Sequence, residues 1–563
     1  MSSMLHVKAC SFSIILYVIA LSVDLAWTGP IEQNPALDFI ILHNNDMHSR
    51  FEQTDRSSGK CSAEDAAAKK CYGGFARVSH VVKKYREEAK NGGPAVLYLN
   101  AGDTYVGTPW FSVFKHKVCA DFMNILRPDA MSLGNHELDK GVDSLVPFLK
   151  AVQFPVLTAN IDNAPNHPLW QTGSLKKSIV LDVKGFKIGV IGYLTPETKE
   201  LTMKSDVEFV PEITAINKEA GLLKEKGVKI IIALGHSGYV VDQEIAKSCP
   251  LVDVVVGGHS HSFLYSGQQP DTEVSEGPYP TIVTQSSGKE VPVVQAYAFT
   301  KYIGALRLNF DADGNLLHWS GQPILLDDSI PRDPEVAALE DVYRPQVNEI
   351  TEKVIGITKV RLDGSKCRTN ECNIGNFISD AFVNTRIRQY NGTDLTDAPI
   401  AIMASGDIRA SGKIGKITRF DLETIIPFEN QLIAVNITGR VLQQVLEHSV
   451  RRYIEYGPPG EFLQLSGMHV VYNISNPSGN RVVSANVLCS TCLVPLYENL
   501  DPNRQYGIII SSFLYDGGDG FTMFKDLKAT YLNTTVQDAV QKYIQNSPVI
   551  YPSIEGRIKV YKN

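Results

Sequence analysis

From Leu37 to about His261 the chain alternates short apolar runs with amphipathic stretches. The runs include FIILH, AVLYLN, AMSL, FPVLTAN, KIGVIGY, KIIIAL and VDVVV, and between them lie patterns such as ARVSHVVKKYREEAK. Apolar runs without polar alternation predict strands covered on both faces, by helices or by a second sheet; the patterns between them predict helices. The segment therefore reads as a layered α/β domain. Residues 333–353, DPEVAALEDVYRPQVNEITEK, predict an exposed helix kinked at Pro345, and a domain boundary falls there. Beyond it lies a second mixed region, with helices near Asn376–Gln389 and Thr438–Tyr453 and strands such as HVVYNI and YGIIISS. A chain of 563 residues accommodates two such domains, since one core rarely grows past roughly 250–300 residues.

The first 29 residues depart from this pattern. Lys8 precedes an apolar run from Phe12 to Trp27, and Thr28, Gly29 and Pro30 follow, which is the layout of a secretory signal peptide. An uncleaved anchor is the rival, but the run is shorter than the ~20 residues a span needs. No second apolar stretch of spanning length occurs, and the final GRIKVYKN has no hydrophobic tail for a lipid-anchor signal, so a secreted, extracellular enzyme without a stable membrane anchor is expected. Cysteine usage agrees with export. Cys10 lies in the signal, and Cys61 with Cys71, Cys367 with Cys372, and Cys489 with Cys492 suit short local disulfides; Cys119 and Cys249 stay unassigned. Acceptor sequons at Asn391, Asn436, Asn473 and Asn533 predict glycosylation of exposed loops. A net charge of -7 without a basic patch gives no support to a nucleic-acid partner, and 44% hydrophobic with 20% charged residues is ordinary globular composition.

Candidate chemistry gathers at the ends of the apolar runs. Asp46 and His48 follow FIILHNN, Asp103 follows VLYLNAG, Asn135 and His136 follow AMSLG, His236 follows IIALG, and His259 and His261 follow VVVGG. Loops at the carboxyl ends of strands converge on one edge of an α/β sheet, so these residues can meet in space. The glycine before most of them permits a sharp turn off the strand, and Asp46-x-His48, read as extended chain, points two ligands the same way. Two cations about 3.5–4 Å apart want a bridging carboxylate, assigned to Asp103, with neutral imidazoles and an amide that leave net positive charge to polarise a phosphoryl oxygen. A single histidine at a strand end is ordinarily structural; five such clusters in one domain are not. A lone-zinc HExxH helix is absent from the sequence.

HNNDMHSR, NAGDTYVGTPW, LGNHELDKG, ALGHSGY and VVGGHSHSFLYSG resemble, in order and spacing, the metal motifs of the calcineurin-like metallophosphoesterases, specifically the 5'-nucleotidase and apyrase family. The resemblance covers essentially the whole mature chain. It implies a four-layer N-terminal metallophosphoesterase domain, two sheets flanked by helices, over 30–332, and a C-terminal α/β nucleotide-binding domain over 354–563. One metal is expected on Asp46, His48, Asp103 and His261, the other on Asp103, Asn135, His236 and His259. Calcium or magnesium is expected to support activity, with zinc or manganese possible at the site. Many members carry an amide at the position of His261. The resemblance also implies a catalytic dyad of His136 and Asp139.

Several features of the second region suit a nucleotide clamp. Arg368 inside CRTNEC and Arg409 inside ASGDIRASGK offer forked donors to phosphate or ribose, and Phe428 and Phe513 lie beside turn residues where rings can bracket a base. The base-stacking phenylalanines of the family match these two, and its ribose-binding aspartate matches Asp519. One departure stands out: Ala404 replaces the usual Asn of this loop and Asp407 replaces a Gly, which weakens one nucleoside contact. With the tail-free form and the GHSHSFLYS variant, the chain resembles the soluble salivary apyrases of blood-feeding arthropods. The expected activity is removal of phosphate from extracellular ATP and ADP, leaving AMP and suppressing ADP-driven platelet activation. A 5'-nucleotidase that converts AMP to adenosine is the alternative, and a nucleotide-sequestering protein without turnover is a third reading.

Overall fold

The computed structural model describes residues 35–202, 205–453, 458 and 460–562. The expected signal segment lies outside the described residues. The N-terminal domain is built on two sheets. The first has seven strands in the order Leu316–Leu325, Tyr302–Phe310, Leu37–Asn44, Ala95–Asn100, Ala130–Ser132, Val156–Leu157 and Leu175–Lys176. The second has six, in the order Thr281–Thr284, Glu290–Val294, Val254–Val256, Ile230–His236, Phe186–Leu194 and Ser178–Val183.

The missing polar alternation of the apolar runs now has its cause. Phe39, Ile41, Leu97 and Leu99 of the first sheet pack face to face on Ile188, Val190, Ile232 and Leu234 of the second. The opposite face of the first sheet, with Leu42, Tyr98 and Met131, is covered by Phe75, Val78, Phe122 and Leu145 from helices Phe75–Lys90, His116–Leu126 and Val142–Ala151. Ile191, Ile231 and Ala233 on the far face of the second sheet meet Ile216, Leu223 and Ile245 from helices Glu212–Glu225 and Tyr239–Ser248. The result is the four-layer arrangement of helix, sheet, sheet and helix.

Helix Pro334–Thr351 starts at Asp333, whose side chain accepts from the N–H groups of Glu335 and Val336, and it runs through Pro345. It is not the fully exposed helix that its composition suggests. Val336, Tyr343 and Val347 share one face and join the helix-covered core of the first domain, because only that stripe is apolar. The C-terminal domain centres on a five-stranded sheet, ordered Leu463–Ser466, Ile400–Ala404, Gln505–Ser511, Gln431–Thr438 and Thr530–Thr535. Helices Asn373–Gln389 and Val536–Asn546 contribute to the core on one side and Gly439–Ser449 to the core on the other. Disulfides join Cys61 to Cys71, Cys367 to Cys372 and Cys489 to Cys492, while Cys119 and Cys249 are buried free thiols. Among the described residues no helix is long and apolar enough to cross a membrane.

Candidate active site

The strands Leu37–Asn44, Ala95–Asn100 and Ala130–Ser132 are mutually parallel, as are Ile230–His236 and Val254–Val256 in the facing sheet, so their carboxyl ends deliver loops to one edge. Asp46, His48 and His261 form one group of potential ligands there, and Asp103, His236 and His259 a second. Asp103 links the two: its Oδ2 is 2.9 Å from His236 Nε2 and 3.9 Å from His48 Nε2. Asn135 joins the second group through its Oδ1, 2.9 Å from His259 Nδ1.

Asp46 and His48 do not reach the site as alternate residues of an extended strand. Both have left-handed backbones, φ 51° and 46°, and so do Asp103, His259 and His261 at 57°, 78° and 57°. Non-glycine residues hold such dihedrals at a cost of order 1–3 kcal/mol each, and they persist where surrounding structure enforces them, characteristically at functional sites. The role of Gly134 is also different from a turn: a Cβ there would lie 2.0 Å from Asp103 Oδ1, so the residue is small because the bridging carboxylate passes over it.

The donor atoms fit a pair of cations. His48 Nδ1 lies 3.0 Å from the carbonyl of Val106 and His236 Nδ1 2.6 Å from that of Ala101; each ring donates there, which leaves a lone pair on each Nε2. His48 Nε2 then faces His261 Nε2 at 3.1 Å, and His261 Nε2 is 3.1 Å from Asp46 Oδ1. Asp46 Oδ1 and His236 Nε2 are buried and make no hydrogen bond of acceptable geometry among the described residues. Lone pairs converging on one another at such distances, in the interior, are satisfied by positive charge between them.

Residues absent from the sequence reading hold this arrangement. Glu137, fully buried, accepts from the backbone N–H groups of Asp103, Thr104, Tyr105 and Gly134, tying the bridging loop to the loop of Asn135. Asn45 donates to Asp46 Oδ2 and to the carbonyl of Tyr297 and accepts from the N–H of Ala296. Gln295 donates to Gly258 O and Asp242 and accepts from Ser260 and Ser262, bracing the loop that carries His259 and His261. Gln295 was visible as a polar residue inside VPVVQAYAF; Glu137 lies inside the quoted LGNHELDKG, but nothing local distinguishes it from a solvated acid.

His136 falls with His48 and Asp103 in a further group of potential ligand atoms, its Nε2 3.8 Å from Asp103 Oδ2. Its Nδ1 is 2.7 Å from Asp139 Oδ2, and its backbone N–H donates to Asp103 Oδ1 at 2.9 Å. Burial pulls the imidazole down, but the carboxylates of Asp139 and Asp103 outweigh it and raise its pKa. Nδ1 faces the Asp139 carboxylate, so in its protonated form the ring presents Nε2–H as a donor at the edge of the ligand cluster.

The second domain closes over this edge. Arg409 Nη2 lies 2.7 Å from His48 Nε2, and Arg368 is close enough to feel both Arg409 and the Asp46 carboxylate. Phe428 stacks on His136 at 5.6 Å between ring centres, with the Arg409 guanidinium 6.0 Å from its centroid. Phe513 leans on the backbone of Gly518, beside Asp519, where a Cβ on Gly518 would meet its ring at 2.4 Å. Burial and Glu461 push Asp519 up to about 6, against the pull of Arg368. Ala404 ends a central strand and its side chain is wholly buried among Ile402, Phe462 and their neighbours.

A two-sheet domain with metal-ligating side chains gathered at its strand ends, capped by a second α/β domain that brings Arg409 and Phe428 to that edge, defines the class of the protein. The calcineurin-like phosphoesterase model matches residues 39–263, and the model of the 5'-nucleotidase C-terminal domain matches 354–526. The chain is 48% identical to "Protein 5NUC" of Lutzomyia longipalpis, over 98% of each. It is 44% identical to the 5'-nucleotidases of Bos taurus and Homo sapiens, over 93% of this chain and 91% of each of them. The 5'-nucleotidase precursor of Thermus thermophilus superposes with a TM-score of 0.84 at 32% identity, over 93% of this chain and 99% of that one. The chain belongs to the 5'-nucleotidase family, and it is a metallophosphoesterase hydrolase with a divalent metal centre.

Proposed function

We propose that the enzyme is an exported 5'-nucleotidase that hydrolyses nucleoside 5'-monophosphates such as AMP to the nucleoside and phosphate. The observation that carries the reading is the convergence of a base-and-phosphate clamp from one domain on the metal edge of the other, Arg409 being 2.7 Å from His48. Relatives named 5'-nucleotidase, matched over nearly their whole length, support the monophosphate reading over the removal of phosphate from ATP and ADP. Export rests on the segment 1–29 and on the three disulfides.

Bound divalent ions supply Lewis-acid stabilisation of charge on the phosphoryl oxygens. Asp46, His48, Asp103 and His261 would hold one ion, and Asp103, Asn135, His236 and His259 the other. With four imidazoles among these ligands, the set suits a borderline ion such as zinc better than calcium, which favours all-oxygen shells. His136 donates from Nε2 to a phosphoryl oxygen while Asp139 fixes its tautomer and charge. Arg368 and Arg409 orient the phosphate and ribose, Phe428 and Phe513 bracket the base, and Asp519 accepts from the ribose. Supplying AMP, ADP and ATP separately and chromatographing the products tests the assignment: adenosine forms from AMP as the fast reaction. AMP that accumulates from ADP and ATP and stays intact would reverse it in favour of an apyrase, with the platelet role that goes with ADP removal.

A further inference from the structure

Behind the loop that carries His259 and His261, three fully buried polar side chains form one hydrogen-bonded chain. They are Tyr193 near the end of strand Phe186–Leu194, Asp242 in the first turn of helix Tyr239–Ser248, and Gln295 just past strand Glu290–Val294. The Tyr193 hydroxyl donates to Asp242 Oδ1 and Gln295 Nε2 to Asp242 Oδ2, each at 2.7 Å. The same Nε2 donates to Gly258 O at 2.9 Å, while Gln295 Oε1 accepts from Ser262 N–H at 3.1 Å and from Ser260 Oγ at 3.2 Å. The amide is thus oriented from both ends, because two acceptors face its nitrogen and a backbone N–H, which can only donate, faces its oxygen.

The chain reaches two of the strand ends that carry ligands. The Tyr193 ring lies against Gly235, next to His236, where a Cβ would fall 2.3 Å from the ring, and a Cβ on Gly257 would fall 1.8 Å from Asp242 Oδ2. The helix that holds Asp242 is itself tied to the loop, Gly238 N–H donating to Gly258 O at 3.1 Å and Tyr239 N–H to Ser260 Oγ at 3.0 Å. That loop supplies one ligand to each ion, and His259 and His261 both hold left-handed backbones, which surrounding structure must enforce. A buried carboxyl group is costly unless hydrogen-bonded, and here each oxygen receives a donor. We propose that Asp242 is a positioning residue: acting through Gln295 and steadied by Tyr193, it sets the loop 257–262 so that His259 and His261 retain their ions, and it does so by the direction of its hydrogen bonds. The inference concerns retention of the ions and holds whichever nucleotide is the better substrate.

The test loads the full chain with zinc and follows its release to an excess of a colorimetric chelator. Gln295→Glu sets a second acceptor against Asp242 and should speed release by about tenfold or more, since the outer partners of metal ligands are worth roughly 10- to 100-fold in metal affinity. Adding Asp242→Asn to it restores a donor to the pair: the amide nitrogen donates to the introduced carboxylate while Tyr193 donates to the amide oxygen. The double variant should therefore recover most of the slow release, which general damage to the core would not allow. If Gln295→Glu alone does not fold, a double variant that folds and retains zinc shows the same rescue. Wild-type release from Gln295→Glu, or a double variant that loses zinc as fast as Gln295→Glu or fails to fold as it does, would overturn the role of Asp242.

Discussion

Asp103 and His136 lie one hydrogen bond apart yet do different work. Asp103 touches both ligand groups, so Asp103→Asn should abolish nearly all turnover and lower bound metal, because a neutral amide bridges two cations poorly. Metal analysis beside the rate decides it: full metal content with a near-normal rate contradicts a bridged pair. His136 has its Nδ1 held by Asp139, and on its proposed role at the phosphoryl group His136→Ala should cut kcat by about 10² to 10³ with both ions retained. Loss of metal in that variant would place the ring among the ligands. The phenylalanines differ as well. Phe513 has no ring contact with the dyad, so Phe513→Ala should raise KM for nucleotides about tenfold and leave a base-free phosphate ester unaffected, base stacking being worth roughly 1–3 kcal/mol. Phe428 stacks on His136, so its removal should lower kcat on both substrates.

At the scale of elements, the site is made by loops that leave parallel strands, and their precision comes from close packing of loop on loop. Gly134 is the sharpest case. A methyl there would lie 2.0 Å from Asp103 Oδ1, so Gly134→Ala must displace the bridge while the strands, whose apolar faces are untouched, stay formed. A loss of about 10² in kcat/KM with an unchanged far-ultraviolet dichroism spectrum is expected, since displacements near 1 Å cost that much in positioned sites. A rate near wild type would mean that the loop accommodates the methyl. The strands of the first domain were legible because sandwiching between sheet and helices makes both faces apolar, and Leu37–Asn44 and Ile230–His236 contain those runs. The FPVLTAN run shrinks to the strand Val156–Leu157, because beyond Thr158 its backbone leaves the ladder: Ala159 N–H crosses to Gly192 O of the second sheet and Asn160 O accepts from Val210 N–H. Linker burial was not legible, since a helix with three inward apolar residues among many charges looks like a solvated one.

The whole molecule couples metal, fold and clamp. Buried Asp46 and Asp103 carry like charge at one edge, and ions that bind only the folded state stabilise it by mass action. Chelation should therefore lower the melting temperature of the first transition by roughly 5–10 °C, with recovery when zinc or manganese is restored. A melting curve indifferent to chelator would show that the ligands are preorganised without help from the ions. Contacts between the domains, including Lys413 with Asp55 at 3.1 Å and Arg452 with Glu197 at 2.8 Å, join surfaces more than two hundred residues apart in sequence. The sequence by itself determined the layered α/β class, the strand-end placement of Asp46, His48, Asp103, Asn135, His236, His259 and His261, and the pairing of six cysteines. Those follow from periodicity, residue chemistry and short spacing, which are local. Only the tertiary structure decided that Glu137, Asn45 and Gln295 brace the metal loops, that Phe428 rests on His136, and that Ala404 turns into the core. Each of these depends on which distant segment comes within a few ångströms of a side chain, and packing sets that distance.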